Sequence, residues 1–155
     1  MRLINMSNLR VIFYKTIIVL IFLFASSYTV NAQQLNYYTK EYNNVFKIAR
    51  SLNKLILITF YTDWCINCKK MDEYVFTDKN LVNLINNNYI PLHLNAELFD
   101  VMDICDTYQV KSYPTSIIID ANGKLINKLI GYYGVIPMTA ELKKAAHNNL
   151  IKKKK

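Results

Sequence analysis

The sequence predicts an α/β fold in which helices cover both faces of a mixed central sheet, a three-layer α/β/α sandwich. Segments with helical and strand periodicity alternate along the chain in the order α-β-α-β-α-β-β-α, which is typical of parallel strands joined by helical crossovers. The last two strands are separated only by the turn Ala121-Asn122-Gly123, which predicts a hairpin and therefore an antiparallel pair. The length of 155 residues suits a single domain.

Each element follows from the spacing of its apolar residues. Spacings of three and four predict helices, and short runs that are apolar on both faces predict buried strands. Thr39 or a neighbour is expected to cap the first helix, and Pro137 is expected to open the last one. The predicted elements are helix 39–52, strand 55–61, helix 68–86, strand 90–95, helix 97–108, strand 115–120, strand 124–130 and helix 137–150.

Two of these helices have apolar faces that are expected to lie in the core. Cys105 belongs to one of them, and a free cysteine in such a place behaves as a small hydrophobe rather than as a reactive thiol. The predicted faces are Tyr42, Val45, Phe46, Ala49 and Leu52 in the first helix, and Leu98, Val101, Met102, Cys105 and Tyr108 in the third.

The formal charge of +8 does not indicate a nucleic-acid-binding face, because the excess lies at the two ends of the chain. Three of the 19 basic residues lie within residues 1–32, which contain no acidic residue, and four are residues 152–155. The other 12 are balanced by 11 acidic residues, so the body of the chain is close to neutral. We therefore expect no nucleic-acid partner, and we expect residues 151–155 to form a solvated lysine tail.

Residues 1–32 have the pattern of a secretory signal peptide. A basic stretch precedes an unbroken apolar run over residues 17–25, and Val30-Asn31-Ala32 closes the segment with the small-residue spacing of a signal-peptidase site. The run is shorter than the roughly 20 residues that cross a bilayer. The alternative is an uncleaved anchor over residues 11–25 with Lys15 reaching to the membrane surface.

Export determines which chemistry is available to the domain predicted over residues 33–150. A periplasmic or otherwise exported protein works where disulfides form and have to be managed. The chain has three cysteines, and an odd number argues against a scaffold stapled by disulfides.

The motif Trp64-Cys65-Ile66-Asn67-Cys68-Lys69 is the strongest functional signal. Its two cysteines follow a buried strand and open a helix, where free N–H groups and the positive end of the helix dipole stabilise a thiolate. Cys65 should lie outside the first turn and be accessible to solvent, and Cys68 should face inward. This spacing allows Cys68 to attack a mixed disulfide held on Cys65. Lys69 and Lys70 either help Cys65 to ionise or form a solvated helix edge.

Two other interpretations of the cysteine pair remain open. Half of a zinc site would need a second pair of ligands, and Cys105, His93 and His147 are too scattered to supply it. A purely structural disulfide would gain little, because the loop it closes is short. His93 is expected to be packed within its strand, and His147 to be exposed on the last helix. We predict neither a metal nor a cofactor.

The segment from Tyr61 to Met71 resembles the active-site segment of thioredoxin-like proteins, in particular the C-terminal periplasmic domain of DsbD-type transmembrane disulfide reductases. Further similarity lies in four segments, so that it covers roughly residues 40–150. Tyr74-Val75-Phe76-Thr77-Asp78 resembles the family's helix kink, and Ser112-Tyr113-Pro114-Thr115 resembles its cis-proline loop. Asp120-Ala121-Asn122-Gly123-Lys124 and Gly131-Tyr132 resemble its hairpin and the loop after it.

This resemblance implies a thioredoxin fold with a cis peptide at Tyr113-Pro114 beside the disulfide. It also implies a shallow groove for an extended substrate, lined by Trp64, Tyr113, Pro114, Gly131 and Tyr132, in which Tyr113 offers backbone groups. Ordinary surface aromatics are the alternative for Tyr113 and Tyr132.

One position departs from the family pattern. Members usually have a buried Asp six residues before the first active cysteine, thought to relay protons to the second thiol, and this chain has Thr59 there. Asp72 occupies a position where the DsbD-type domain also has an acid. The expected catalytic residues are therefore Cys65, Cys68 and Asp72, with Asp72, or water near Thr59, handling protons.

The leading functional hypothesis is an extracytoplasmic thiol–disulfide oxidoreductase, acting more as a reductase than as an oxidase or isomerase. Oxidised protein thiols would be its substrates, a membrane protein could supply its electrons, and the protein would be a monomer. The competing hypothesis is a peptide-binding or chaperone-like module with incidental redox activity. Metal delivery through Cys65 and Cys68 is a third.

Overall fold

The computed structural model describes Arg10, residues 13–20 and residues 34–153. The chain divides into two units, residues 1–32 and 33–155. In the first, residues 13–20 are helical and exposed. Most of the predicted signal segment, including its proposed cleavage site, lies outside the described residues, so export and cleavage stay predictions. Within the part that is described, no helix is both long and apolar enough for a membrane span.

The described part of the second unit, residues 34–153, contains five helices and four strands in the predicted order, except that one predicted helix is two. The elements are α1 (Tyr42–Leu52), β1 (Leu55–Tyr61), α2 (Ile66–Tyr74), α3 (Lys79–Asn88), β2 (Tyr89–Asn95), α4 (Phe99–Thr107), β3 (Thr115–Ile119), β4 (Leu125–Ile130) and α5 (Val135–Lys153).

The four strands form one mixed sheet in the order β2-β1-β3-β4. β1 and β2 are parallel, whereas β3 is antiparallel to both β1 and β4. The hairpin turn is held by Asp120, whose Oδ1 accepts the N–H groups of Asn122 and Lys124 at 2.8 and 3.0 Å. Gly123 adopts a φ of +81°, which suits glycine. The predicted mixed sheet and terminal hairpin are confirmed.

Helices cover both faces of the sheet, which confirms the three layers. β1 is buried on both faces, and alternate residues contribute to two apolar clusters. Ile56, Ile58 and Phe60 pack with α1 and α4, whereas Leu55 and Leu57 pack with α2, α3 and α5. The helix that contains Cys68, α2, packs on this second face of the sheet.

The helix predicted over residues 68–86 is interrupted. The N–H groups of Val75 and Phe76 both donate to the carbonyl of Met71, which ends the regular ladder of α2. Asp78 then caps α3, because its Oδ1 accepts the N–H of Leu81 at 2.9 Å. The apolar pattern continued through the break, so periodicity alone did not reveal it.

Several smaller expectations were wrong. Glu41, not Thr39, precedes α1, and its side chain makes no capping hydrogen bond because it accepts from the Asn44 side chain instead. Leu52 lies at the end of α1 and is exposed. On α4 the buried face is Val101, Ile104, Cys105 and, just beyond the helix, Tyr108, which turns Leu98 and Met102 to solvent.

The last helix is longer than predicted at both ends. α5 begins at Val135 and contains Pro137 in its first turn, where no N–H is required. It continues to Lys153, so part of the predicted 151–155 tail is helical. Lysine is a good helix former, and positive charge is favourable at a helix C-terminus.

Candidate redox site

Cys65 and Cys68 form a disulfide at the N-terminus of α2. The S–S distance is 2.03 Å and the Cα atoms are 5.3 Å apart. Cys65 is the N-cap residue, with extended backbone angles, and its Sγ accepts the N–H of Cys68 at 3.1 Å. The sulfur of Cys65 therefore takes the place that a serine or aspartate oxygen takes in other caps, facing the free N–H groups and the positive end of the helix dipole.

Cys65 is less accessible than the sequence predicted. It is 5% exposed, against 2% for Cys68. The bond to Cys68 and the contact with its N–H both turn the Cys65 sulfur toward the helix, which explains the low exposure. Cys68 is the more buried of the two cysteines, as predicted.

The loop before Cys65 is held by Glu97, a residue that sequence reasoning missed. One Glu97 oxygen accepts the indole N–H of Trp64 at 3.0 Å, and the other accepts the backbone N–H of Asp63 at 3.1 Å. Asn95 donates to Asp63 at 3.3 Å and accepts the N–H of Glu97 at 2.9 Å. The strand order could have indicated this contact. β1 and β2 are parallel neighbours, so the residues that follow them, such as Asp63 and Glu97, meet at one edge of the sheet.

Trp64 nevertheless keeps most of its surface, being 67% exposed. Its ring meets Tyr113 edge to face, with the centroids 6.3 Å apart. The peptide between Tyr113 and Pro114 is cis, as the resemblance implied. Gly131, with a φ of +87°, donates its N–H to the Pro114 carbonyl at 2.8 Å.

The expected groove residues thus divide into two contacts. Trp64 lies against Tyr113, and Gly131 lies against Pro114. Tyr132 follows Gly131 and is 46% exposed. Whether these five residues bind substrate stays a prediction.

Beneath α2, the position of the family's usual buried acid is filled by a pair of hydroxyls. Thr59 is buried, and its Oγ1 lies 3.1 Å from Oγ of Ser116 on β3. Thr59 is opposite Ser116 on one side and opposite His93 on the other. Side chains opposite one another in adjacent strands share a face of the sheet. His93, Thr59 and Ser116 therefore form one polar row.

Asp72 lies one turn after Cys68 on α2 and is half-buried. Its Oδ1 is 3.3 Å from Nε2 of His93. Burial raises the pKa of Asp72, and the nearby His93 partly offsets this. Burial lowers the pKa of His93, and the Asp72 carboxylate partly offsets that.

His93 was expected to be packed within its strand, and its ring is stacked with two tyrosines. It stacks against Tyr61 with centroids 4.1 Å apart and against Tyr37 at 5.2 Å. The expectation missed its contact with Asp72, because that contact depends on which residue of α2 passes over β2. His147 is exposed, as predicted.

Cys105 lies in the core beside α1 and β1, which confirms the prediction for it. Burial raises the pKa of its thiol, and Asp106 adds to this. Among the described residues, no three or more His, Cys, Asp or Glu side chains gather as metal ligands would.

A groove of about 940 Å³ reaches the region of the imidazole: His93 and Tyr37 are among its lining residues, together with residues of α1 and α4 such as Phe46 and Ile104. Neither cysteine lines this groove.

Comparison with known proteins agrees with this geometry. Residues 42–146 match the family model described as a thioredoxin-like domain. The thiol:disulfide interchange protein DsbD of Salmonella typhi is 28% identical over 79 residues, which is 50% of this chain but only 14% of that protein. Thioredoxin-1 of Drosophila melanogaster is 29% identical over 79 residues, covering 51% of this chain and 69% of that protein.

Solved structures show the same fold. A putative disulphide-isomerase from Bacteroides thetaiotaomicron superimposes with a TM-score of 0.66 at 22% identity, covering 75% of this chain and 96% of that one. The oxidised C-terminal domain of DsbD from Neisseria meningitidis gives a TM-score of 0.56 at 16% identity, covering 66% and 90%. The chain has the thioredoxin fold and belongs to the thioredoxin-like family.

Proposed function

We propose that the chain is an exported thiol–disulfide oxidoreductase that reduces disulfides in other proteins. One observation carries the proposal: the Sγ of Cys65 caps α2 and accepts the N–H of Cys68. After reduction the same N–H group and the helix dipole would stabilise a Cys65 thiolate, the form that attacks a disulfide.

The reaction transfers two electrons from the cysteine pair to the partner. The Cys65 thiolate attacks one sulfur of the partner disulfide, and the partner's other sulfur leaves as a thiolate and takes up a proton. Cys68 then loses its proton and attacks the Cys65 sulfur. The bond between Cys65 and the partner breaks, the partner's second thiolate leaves, and the Cys65–Cys68 disulfide re-forms. In this scheme Asp72 receives the Cys68 proton.

The test is reduction of insulin disulfides by dithiothreitol, catalysed by the protein and followed by turbidity. Cys65→Ser should abolish catalysis. Cys68→Ser should still attack but should accumulate a mixed disulfide, which mass spectrometry would detect. Cys105→Ala is the matched control, since it removes a buried thiol and should leave the rate unchanged. Full catalysis by Cys65→Ser would refute the proposal.

The reducing direction needs its own measurement. Trp64 is the chain's single tryptophan and is adjacent to Cys65, so its fluorescence should report the redox state. Equilibration against glutathione buffers should give a potential near or below the roughly −200 to −230 mV of glutaredoxins. A potential near the roughly −120 mV of DsbA would make the protein an oxidant instead.

Export is the second part of the proposal. Expression of the full chain with signal peptidase present should release a protein that begins near Gln33, as N-terminal sequencing would show. A full-length product retained in the membrane fraction would favour the uncleaved anchor. The similarity to DsbD supports an electron-donating membrane partner, but the chain matches only 14% of that protein, so the partner is part of the proposal.

Peptide binding is the competing function, and one observation favours it. Ile66 and Trp64 flank Cys65 and are 70% and 67% exposed, which offers an apolar surface beside the cis-proline loop. If binding is the primary role, the Cys65→Ser/Cys68→Ser double variant should suppress aggregation of an unfolded protein as well as the wild type does. Loss of all activity in that variant would exclude it.

A further inference from the structure

We infer that His93 is a positioning residue of the exchange reaction: it holds Asp72 where it can take a proton from Cys68 and shares that proton. The inference rests on the proposed function, since it concerns the step in which Cys68 attacks the mixed disulfide. It stands on the arrangement of four parts of the chain: β1, β2, α2 and the segment before α1.

The first step of the argument is the location of His93. It lies on β2 opposite Thr59, in the polar row with Ser116. Thr59 shares its sheet face with Leu57, and Leu57 packs in the same cluster as Met71 of α2. The polar row therefore lies on the face of the sheet that α2 covers, the helix that contains Cys68.

The second step is the restraint on the imidazole. The ring stacks on Tyr61, at the end of β1, and on Tyr37, in the segment before α1. Tyr37 is held in turn by its neighbour Tyr38, whose N–H donates to the carbonyl of Pro91 on β2 at 2.8 Å. Two stacking partners restrict rotation of the ring and keep Nε2 directed toward Asp72.

The third step is the state of that nitrogen. Nε2 of His93 is buried, and among the described residues it has no hydrogen-bond partner. Oδ1 of Asp72 lies 3.3 Å away, within ion-pair distance but outside hydrogen-bond geometry. A buried polar atom without a hydrogen bond is costly. A small movement of either side chain, with a proton shared between Nε2 and Oδ1, would give both atoms a hydrogen bond.

The fourth step is the distance to the reacting sulfur. Cys68 and Asp72 are four residues apart within α2, and such side chains are neighbours, with Cβ atoms about 5–6 Å apart. The side chain of Asp72 is 40% exposed and that of His93 is 20% exposed. Asp72 is thus a partly exposed helix neighbour of a buried cysteine, which suits a group that passes protons outward.

Electrostatics favour sharing a proton between the two. Burial raises the pKa of Asp72 and lowers that of His93, so the two values move toward one another. A smaller difference between the two pKa values lowers the free energy needed to move a proton from one group to the other. The other titratable groups around the imidazole are the phenols of Tyr37 and Tyr61, and burial raises the pKa of Tyr37. The other charged side chains of α2 are Lys69, Lys70 and Glu73, and all three are exposed.

The proton balance is complete without another reactant. The Cys68 thiol gives its proton to Asp72 as its sulfur attacks Cys65, and the pair Asp72–His93 holds that proton. The proton then passes to solvent or to the departing partner thiolate. No electron moves through Asp72 or His93.

The experiment compares His93→Gln with His147→Gln over pH 5 to 9, following the re-formation of the Cys65–Cys68 disulfide by stopped-flow Trp64 fluorescence. His147→Gln removes the only other histidine, which is exposed on α5, and should leave the pH profile unchanged. His93→Gln should flatten the profile and slow the step by about tenfold, less than the 10²–10⁴ typical of a proton-transfer group because Asp72 remains. An unchanged profile for His93→Gln would overturn the inference.

A second measurement covers the case in which His93→Gln does not fold. The wild-type protein has two histidines, so an NMR titration gives two ring signals, with His147 as the internal reference. The apparent pKa of His93 should differ between the oxidised and reduced protein, because reduction places a proton or a charge on Cys68. Equal values in the two states would overturn the inference. Neither result bears on Cys65→Ser, which tests the proposed function separately.

Discussion

At the scale of the residue, Glu97 should influence the reactivity of the cysteine pair through the loop before Cys65. Its two oxygens accept the N–H groups of Trp64 and Asp63, which fixes the loop that leads to Cys65. Glu97→Gln keeps the shape but presents an NH₂ group to one of these donors. We expect a shifted Trp64 emission, slower insulin reduction, and a loss of about 1 kcal/mol in the free energy of unfolding.

The matched control for this change is Asp103→Asn, which removes one exposed carboxylate from α4. It should alter neither the emission nor the rate. If Glu97→Gln also leaves both unchanged, the loop is held by something other than this carboxylate.

Residues that act through local spacing could be predicted from the sequence, and residues that act across the sheet could not. Cys65 and Cys68 were identified because two cysteines three apart need only a helix N-terminus to become a redox pair. The contact of His93 with Asp72 depends on strand register and on the path of α2 over the sheet. Neither quantity is contained in the pattern of apolar residues.

At the scale of the element, the separation of α2 from α3 keeps the redox helix short. Asp78 starts the new helix by accepting the N–H of Leu81. Asp78→Ala should destabilise the oxidised protein by about 1 kcal/mol in urea unfolding, because that N–H loses its partner. Asp78→Asn should cost much less, since asparagine caps about equally well. Equal losses for the two variants would contradict a capping role.

The same region shows which features the spacing of apolar residues predicts and which it does not. The strands and the hairpin came out close to their predicted bounds, because a buried strand needs only a short apolar run and a turn needs only a few residue types. The apolar pattern did not reveal the break at Val75–Asp78, since Val75 and Val82 are seven residues apart and keep the helical spacing across it. The capping residue Asp78 separates the two helices, and the family resemblance, rather than the apolar pattern, implied a helix kink at Tyr74–Asp78.

At the scale of the whole molecule, buried thiol and phenol groups should make the fold sensitive to high pH. Burial raises the pKa of Cys105 above its usual 9.0, and it raises those of Tyr42 and Tyr89 above 10.0. Above these ordinary values the unfolded chain releases protons that the folded chain still binds. Their stabilising contribution is therefore complete below about pH 9 and is lost as the pH rises through the folded values.

Urea unfolding of the oxidised protein between pH 7 and 11 would measure this loss. We expect the free energy of unfolding to fall from about pH 9 upward, and Cys105→Ala to remove the earliest part of that fall. A wild-type stability that stays constant to pH 11 would show that these groups ionise as easily in the fold as in the unfolded chain.

The direction of exchange is also a property of the whole molecule, because the potential of the cysteine pair is linked to the stability of the fold. Two interactions oppose each other. The cap N–H and the helix dipole favour a Cys65 thiolate and hence the reduced protein, whereas greater stability of the fold with the disulfide closed favours the oxidised protein. A reductase requires the interaction that favours the oxidised protein to be the larger.

The oxidised protein should then be harder to unfold in urea than the reduced protein. For this two-electron couple each 30 mV of lowered potential corresponds to about 1.4 kcal/mol. Both forms should be measured with Cys105→Ala, so that the third thiol cannot form other disulfides. If the reduced form proves the more stable, the pair is an oxidant, and the reducing direction falls while the exchange chemistry at Cys65 remains.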